Sequence, residues 1–66
     1  MSADFHLICD AEPVDGGFLP TVKILEGSRV ALAWRGSFSF PHLSLALVYA
    51  HDYGAVAIEA LRSGQP

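Results

Sequence analysis

The sequence predicts an α+β domain: a three-stranded antiparallel meander with one C-terminal helix packed on one face. Three observations predict it. Apolar and polar residues alternate in three short stretches separated by glycine-containing turns. From about residue 41 to 62 the apolar spacing changes to the i, i+3, i+4, i+7 pattern of a helix. The chain is also too apolar for disorder: of 66 residues 52% are hydrophobic and only 17% charged. That length allows one small domain, 1–66.

The first strand, about residues 4–10, alternates with Phe5, Leu7 and Cys9 on one side and His6, Ile8 and Asp10 on the other. Ala11 to Gly17 follows as a turn, with Asp15-Gly16 the hairpin signal, because Gly accepts positive φ. In the second strand, 18–26, Phe18, Pro20, Val22 and Ile24 share a face, and Leu19, Thr21, Lys23 and Leu25 share the other. Pro20 has no N–H, which predicts an edge or a bulge there. Glu26-Gly27-Ser28 turns the chain into the third strand, 29–35. There Val30, Leu32 and Trp34 face one way, and Arg29, Ala31, Ala33 and Arg35 the other. Ser39 is the expected helix cap and Pro41 the expected first-turn residue. Ser63-Gly64-Gln65-Pro66 is the expected stop.

On a helical wheel Leu43, Leu47, Ala50, Gly54, Ala57 and Leu61 form the sheet-facing stripe, flanked by Ala46, Tyr53 and Ile58. The expected core sets these against Phe5, Leu7, Cys9, Val22, Ile24, Val30, Leu32 and Trp34. Small residues in the stripe let the helix lie close to the sheet. Gly54 costs about 1 kcal/mol relative to Ala within a helix, and close packing is the reason to keep it. The back of the helix is also apolar, through Leu45, Tyr49 and Val56 with Val48 nearby, interrupted by Asp52 and Glu59.

That second apolar face carries the functional expectation. A domain this small buries about 60% of its unfolded surface and is marginal alone. Disulfides, metals or association supply the difference. Cys9 is the only cysteine, so no internal disulfide forms. A zinc site needs three or four convergent ligands. His42 and His51 lie on opposite sides of the helix, and His6 and Cys9 on opposite faces of a strand. Association remains. The expectation is a homodimer, with Leu45, Tyr49 and Val56 at the interface and a further protein partner as its biological target. It is a small interaction or accessory protein, with no cofactor.

The alternative is a nucleic-acid-binding module. Three of the four basic residues, Lys23, Arg29 and Arg35, share the outer sheet face by strand parity. They form a candidate anion or nucleic-acid contact, flanked by His6, Asp10 and Thr21. The net charge of −3 opposes it, as does the absence of an aromatic residue from that face.

No enzyme is expected. His51 and Asp52 are adjacent and diverge by about 100° on a helix. Cys9 has core-side parity, and no paired carboxylates stand at a spacing suited to acid–base work. Gly16-Gly17 joins two strands and precedes no helix, so it is not a phosphate loop. Met1-Ser2-Ala3-Asp4 opens no signal peptide, and no apolar run approaches the roughly 18 residues of a membrane span. A cytoplasmic location with a reduced thiol is the expectation.

Val14-Asp15-Gly16-Gly17-Phe18 in the first hairpin, then Gly36-Ser37-Phe38 and a helix with Ala46, Ala50, Ala57 and Ala60, resembles the β-β-β-α core of HicB-like antitoxins. The pattern is also similar to a loose group of small bacterial proteins with a Gly-x-Phe entry into an Ala-rich helix. The resemblance spans about residues 5–62. The Pro-rich segment after the second strand of HicB-like chains has no counterpart here, since Thr21 to Trp34 reads as strand–turn–strand. The strand order also resembles the monomer of dimeric single-strand-binding coactivators, without their basic, aromatic sheet.

Overall fold

A computed structural model describes residues 4–63. Strands β1 (Phe5–Val14), β2 (Gly17–Glu26) and β3 (Arg29–Arg35) precede helix α1 (Leu43–Ser63). The sheet order is β1-β2-β3, antiparallel throughout, with the helix against one face. This is the predicted α+β meander.

β1 continues four residues beyond its predicted end. The Asp15-Gly16 turn spans only two residues, with Gly16 at φ 86°, so pairing runs unbroken from Phe5 opposite Glu26 to Val14 opposite Gly17. Gly17 is fixed by a neighbour rather than by the turn. A Cβ there would run into the Phe40 carbonyl, which accepts a 2.8 Å hydrogen bond from the Phe18 N–H.

Pro20 sits in the central strand, where an edge or bulge was expected. Its carbonyl accepts from the Gly36 N–H at 2.8 Å, on the β3 side of β2. Amide and carbonyl of one strand residue point the same way. The missing N–H therefore faces the place where β3 has already ended, and the β1–β2 ladder loses nothing.

The third strand corrects the parity reading. Ile24 pairs with Leu32, but Leu25 pairs with Val30 and Glu26 with Arg29. Ala31 is the extra residue of a bulge. The cause is the two-residue turn at Gly27-Ser28, with Gly27 at φ 63°, which locks Glu26 opposite Arg29. Val30 thereby leaves the core for the outer face, beside Leu25, and is 51% exposed. Arg29 moves the other way, to the helix side with Glu26.

The helix starts at Leu43, later than the predicted residue 41. Phe40 is still extended and forms a bridge with Phe18, so Ser39 does not cap. The His42 carbonyl instead accepts the first helical bond, from Ala46 N–H. The helix includes Ser63, the first residue of the expected stop; the rest, Gly64-Gln65-Pro66, lies outside the described residues. Leu43, expected in the stripe, is exposed at the overhanging helix start.

Small residues set the helix–sheet distance. Ala46, Ala50, Gly54 and Ala57 are its buried positions. Val22, Ile24, Ala50 and Ala57 form the core, flanked by Phe5, Leu7, Cys9, Leu32, Trp34, Tyr53, Ile58 and Leu61. At Gly54 the Leu7 side chain fills the place of a Cβ, with Cδ2 at 3.0 Å and Cγ at 3.3 Å. Leu19 is buried despite its outer-face parity, at the end of β2 bordered by Gly36–Phe40.

The helix is about 31 Å long and the ten-residue strands about 33 Å. Neither fits the shorter dimensions of a molecule measuring 43 × 20 × 16 Å. Helix and hairpin therefore run together along the long axis. The radius of gyration, 12.7 Å, exceeds the roughly 11 Å of a compact chain of this length.

Candidate interaction surfaces

The helix is not centred on the sheet. It lies across β1 and β2, and no Cα of β3 comes within 8 Å of one in the helix. What joins β3 to the helix is aromatic. Tyr49 and Tyr53 stand four residues apart on one flank of α1. Trp34 stacks on Tyr53 with ring centroids 3.9 Å apart and planes 13° from parallel. Tyr49 lies 6.1 Å from Trp34 and 5.3 Å from Phe40. Phe40, Tyr49, Trp34 and Tyr53 thus make a continuous row along the notch between the helix flank and the uncovered side of β3.

Tyr49 is therefore less detached than a place on the back of the helix implies. Its ring turns toward Trp34 and Phe40, yet 46% of it stays exposed. Leu45 (47%) and Val56 (70%) continue the same flank into solvent, and Val48 is exposed as well. These side chains form one contiguous apolar surface rather than scattered exposed residues. The aromatic row was not legible from the sequence. It depends on where Phe40 crosses β2 and on the sideways offset of the helix.

The outer sheet face holds the second surface. A shallow concavity of about 360 Å³ is lined there by Ile8, Asp10, Thr21, Lys23, Ala33 and Arg35, among others. Lys23 and Arg35 lie on the expected face; Arg29 does not. Its guanidinium pairs with Glu26 on the other side of the sheet. Arg35 reaches across β2 to Glu12, Nε to Oε1 at 2.8 Å. That hydrogen bond, and then the charge of the guanidinium, holds the Glu12 carboxyl below its usual range and the Arg35 pKa above its own. Asp10 Oδ1 accepts from the Ala11 N–H at 2.8 Å. Of the four basic residues, only Lys23 lacks an ion pair among the described residues. The concavity is thus close to neutral: Arg35 is matched by Glu12, and Asp10 shares the lining with Lys23.

The histidines stay apart: His6 on the outer face, His42 at the helix start and His51 exposed on the helix. No three His, Cys, Asp or Glu side chains among the described residues converge as a metal site. Cys9 is half-buried on the helix side of β1, and burial raises its thiol pKa. No described helix is long and apolar enough to cross a membrane. Comparison of the chain with protein-family models, with curated proteins and with solved structures gave no match.

Proposed function

We propose that this chain is a small interaction protein that works as a homodimer, not an enzyme. One observation carries the reading: the exposed apolar flank of the helix, Leu45, Tyr49 and Val56, is continuous through Tyr53 and Trp34 with the side of β3 that the helix leaves bare. A monomer keeps that surface wet, at about 25 cal/mol for each Å² it fails to bury. Half of its buried hydrophobic residues are alanines, Ala46, Ala50 and Ala57, which bury little area each. Association is the remaining source of stability for a 66-residue chain with one cysteine.

Sedimentation equilibrium tests it. The expected mass is about twice the 7.1 kDa of the chain. Leu45→Glu with Val56→Glu is expected to weaken the dimer at least about tenfold, a loss of 1.4 kcal/mol. A wild type that stays at 7.1 kDa up to millimolar concentration overturns the proposal. No observation favours the nucleic-acid reading over this one, since the face it needs has lost Arg29 and holds Arg35 in an ion pair.

A further inference from the structure

We infer that the second copy docks on the free edge of β3, so that two meanders join as one six-stranded sheet about a two-fold axis near Ala33. The inference rests on the homodimer reading and deepens it. It commits to one edge because the two edges of this sheet are built differently.

Backbone direction decides which groups are free. The Gly36 N–H points to β2, so by alternation the amides of Trp34 and Leu32 also point to β2. Those of Ala33 and Arg35 point outward, unpaired along the open side. On the opposite edge, the outward residues of β1 are Phe5, Leu7, Cys9, Ala11 and Pro13. Pro13 has no N–H to offer. The Ala11 N–H is already held by the Asp10 carboxylate at 2.8 Å. Proline and local capture of this kind guard the Ala11–Pro13 end of the β1 edge; along Phe5 to Cys9 the helix above the strand is what sets it apart from β3. β3 has neither proline nor such capture between Leu32 and Arg35, and its bulge residue, Ala31, lies only at the margin of that stretch.

The layer above the strands selects the same edge. β1 is covered by the helix and β3 is not. An edge-joined copy therefore brings two bare inner faces side by side. A two-fold axis at Ala33 sets Leu32 of one copy opposite Trp34 of the other, extending the apolar layer across the seam. It also sets Arg35 opposite Ala31, which keeps the arginines of the two strands apart. One strand edge paired with itself is self-complementary, as a two-fold interface must be. A standard interface takes about 800 Å² from each partner, about a sixth of the 4547 Å² this chain exposes. The strand edge alone is too narrow for that. The flank of Tyr49, Tyr53 and Val56 stands above the same side, ready to add its area.

Amide hydrogen exchange followed by NMR, at concentrations above and below dimer dissociation, tests the edge directly. The Ala33 and Arg35 amides are expected to exchange at least about 100-fold more slowly in the dimer than in the monomer, while the Ala11 amide does not change. Ala33→Pro removes an outward N–H and leaves the β2–β3 bonds intact. It is expected to give a monomer with the wild-type helical circular dichroism. If the wild type is a dimer whose Ala33 and Arg35 amides exchange freely, edge pairing is overturned and the helix-flank dimer stands. If the wild type is a monomer, both readings fall. Should Ala33→Pro not fold, the exchange measurement on the wild type still decides.

Discussion

Trp34 lies face to face with Tyr53, 3.9 Å between ring centroids, and this stack does for β3 what direct helix packing does for β1 and β2. Besides it, β3 is held by the β2 ladder, by Leu32 against the core and by the Arg35–Glu12 ion pair to β1. Stacked aromatic pairs contribute about 0.5–1.5 kcal/mol beyond the area they bury. Tyr53→Ala is expected to cost about 2 kcal/mol, and Tyr53→Phe less than about 0.5 kcal/mol. Urea titrations at fixed protein concentration measure both. As the only tryptophan, Trp34 also reports the edge of the sheet. Its emission is expected to shift to the red on dilution below dimer dissociation.

At Gly54 the helix packs directly onto the Leu7 side chain of β1. An alanine there gains about 1 kcal/mol of helix propensity and loses about 1–3 kcal/mol by overpacking against Leu7. The expected result for Gly54→Ala is a net loss. Pulling Leu7 back should reverse its sign: in a Leu7→Val background the same substitution is expected to stabilise. A double-mutant cycle in urea reads this coupling.

Gly16 and Gly17 are neighbours with opposite tolerances. Gly16 has φ 86° and open space around it, so Gly16→Asn is expected to be nearly neutral, since Asn enters the left-handed region at little cost. Gly17→Ala drives a methyl into the Phe40 carbonyl, and backbone cannot move aside as a side chain does. A loss of about 2 kcal/mol or more is expected, in the range of backbone strain. Thermal melts of the two variants side by side make the comparison.

Cys9 is expected to react slowly with iodoacetamide at neutral pH. Its raised pKa keeps the thiol protonated, and its half-buried place on the helix side of β1 limits access. Denaturant should accelerate alkylation at least about tenfold. Rapid labelling of the folded chain, equal to that in urea, would contradict this placement.

The outer face is expected to ignore nucleic acid. One lysine without an ion pair among the described residues releases about one counterion, so the slope of log affinity against log salt should not exceed about 1. Oligonucleotide titrations at two salt concentrations measure it. Strong binding that disappears with Lys23→Glu and Arg35→Glu would restore the basic-face reading.

The elements themselves were legible because each has a local cause. Alternation marked the strands, Asp15-Gly16 and Gly27 marked the turns, and the Ala/Gly spacing of α1 marked its buried stripe. What could not be read was relative placement. Parity counting assumes an unbroken ladder, and the bulge at Ala31 broke it, sending Val30 to water and Arg29 to the helix side. Ser39 looked like a cap, but the Phe18–Phe40 bridge held the chain extended past it. The row from Phe40 to Tyr53 needed three elements to meet, and no window of sequence contains that information.

The turn at Gly27 has a reach its size conceals. With Ile24 kept opposite Leu32, a three-residue turn would seat Ala31 against Leu25 and Val30 against Glu26. The bulge would vanish, and the valine would turn to the helix side of the sheet. The two arrangements use the same residues and differ in whether residue 27 accepts φ 63°. A backbone angle in an exposed turn therefore governs how much grease this protein shows to water. Drift at that one glycine would alter solubility and stickiness without touching a core residue or a charge.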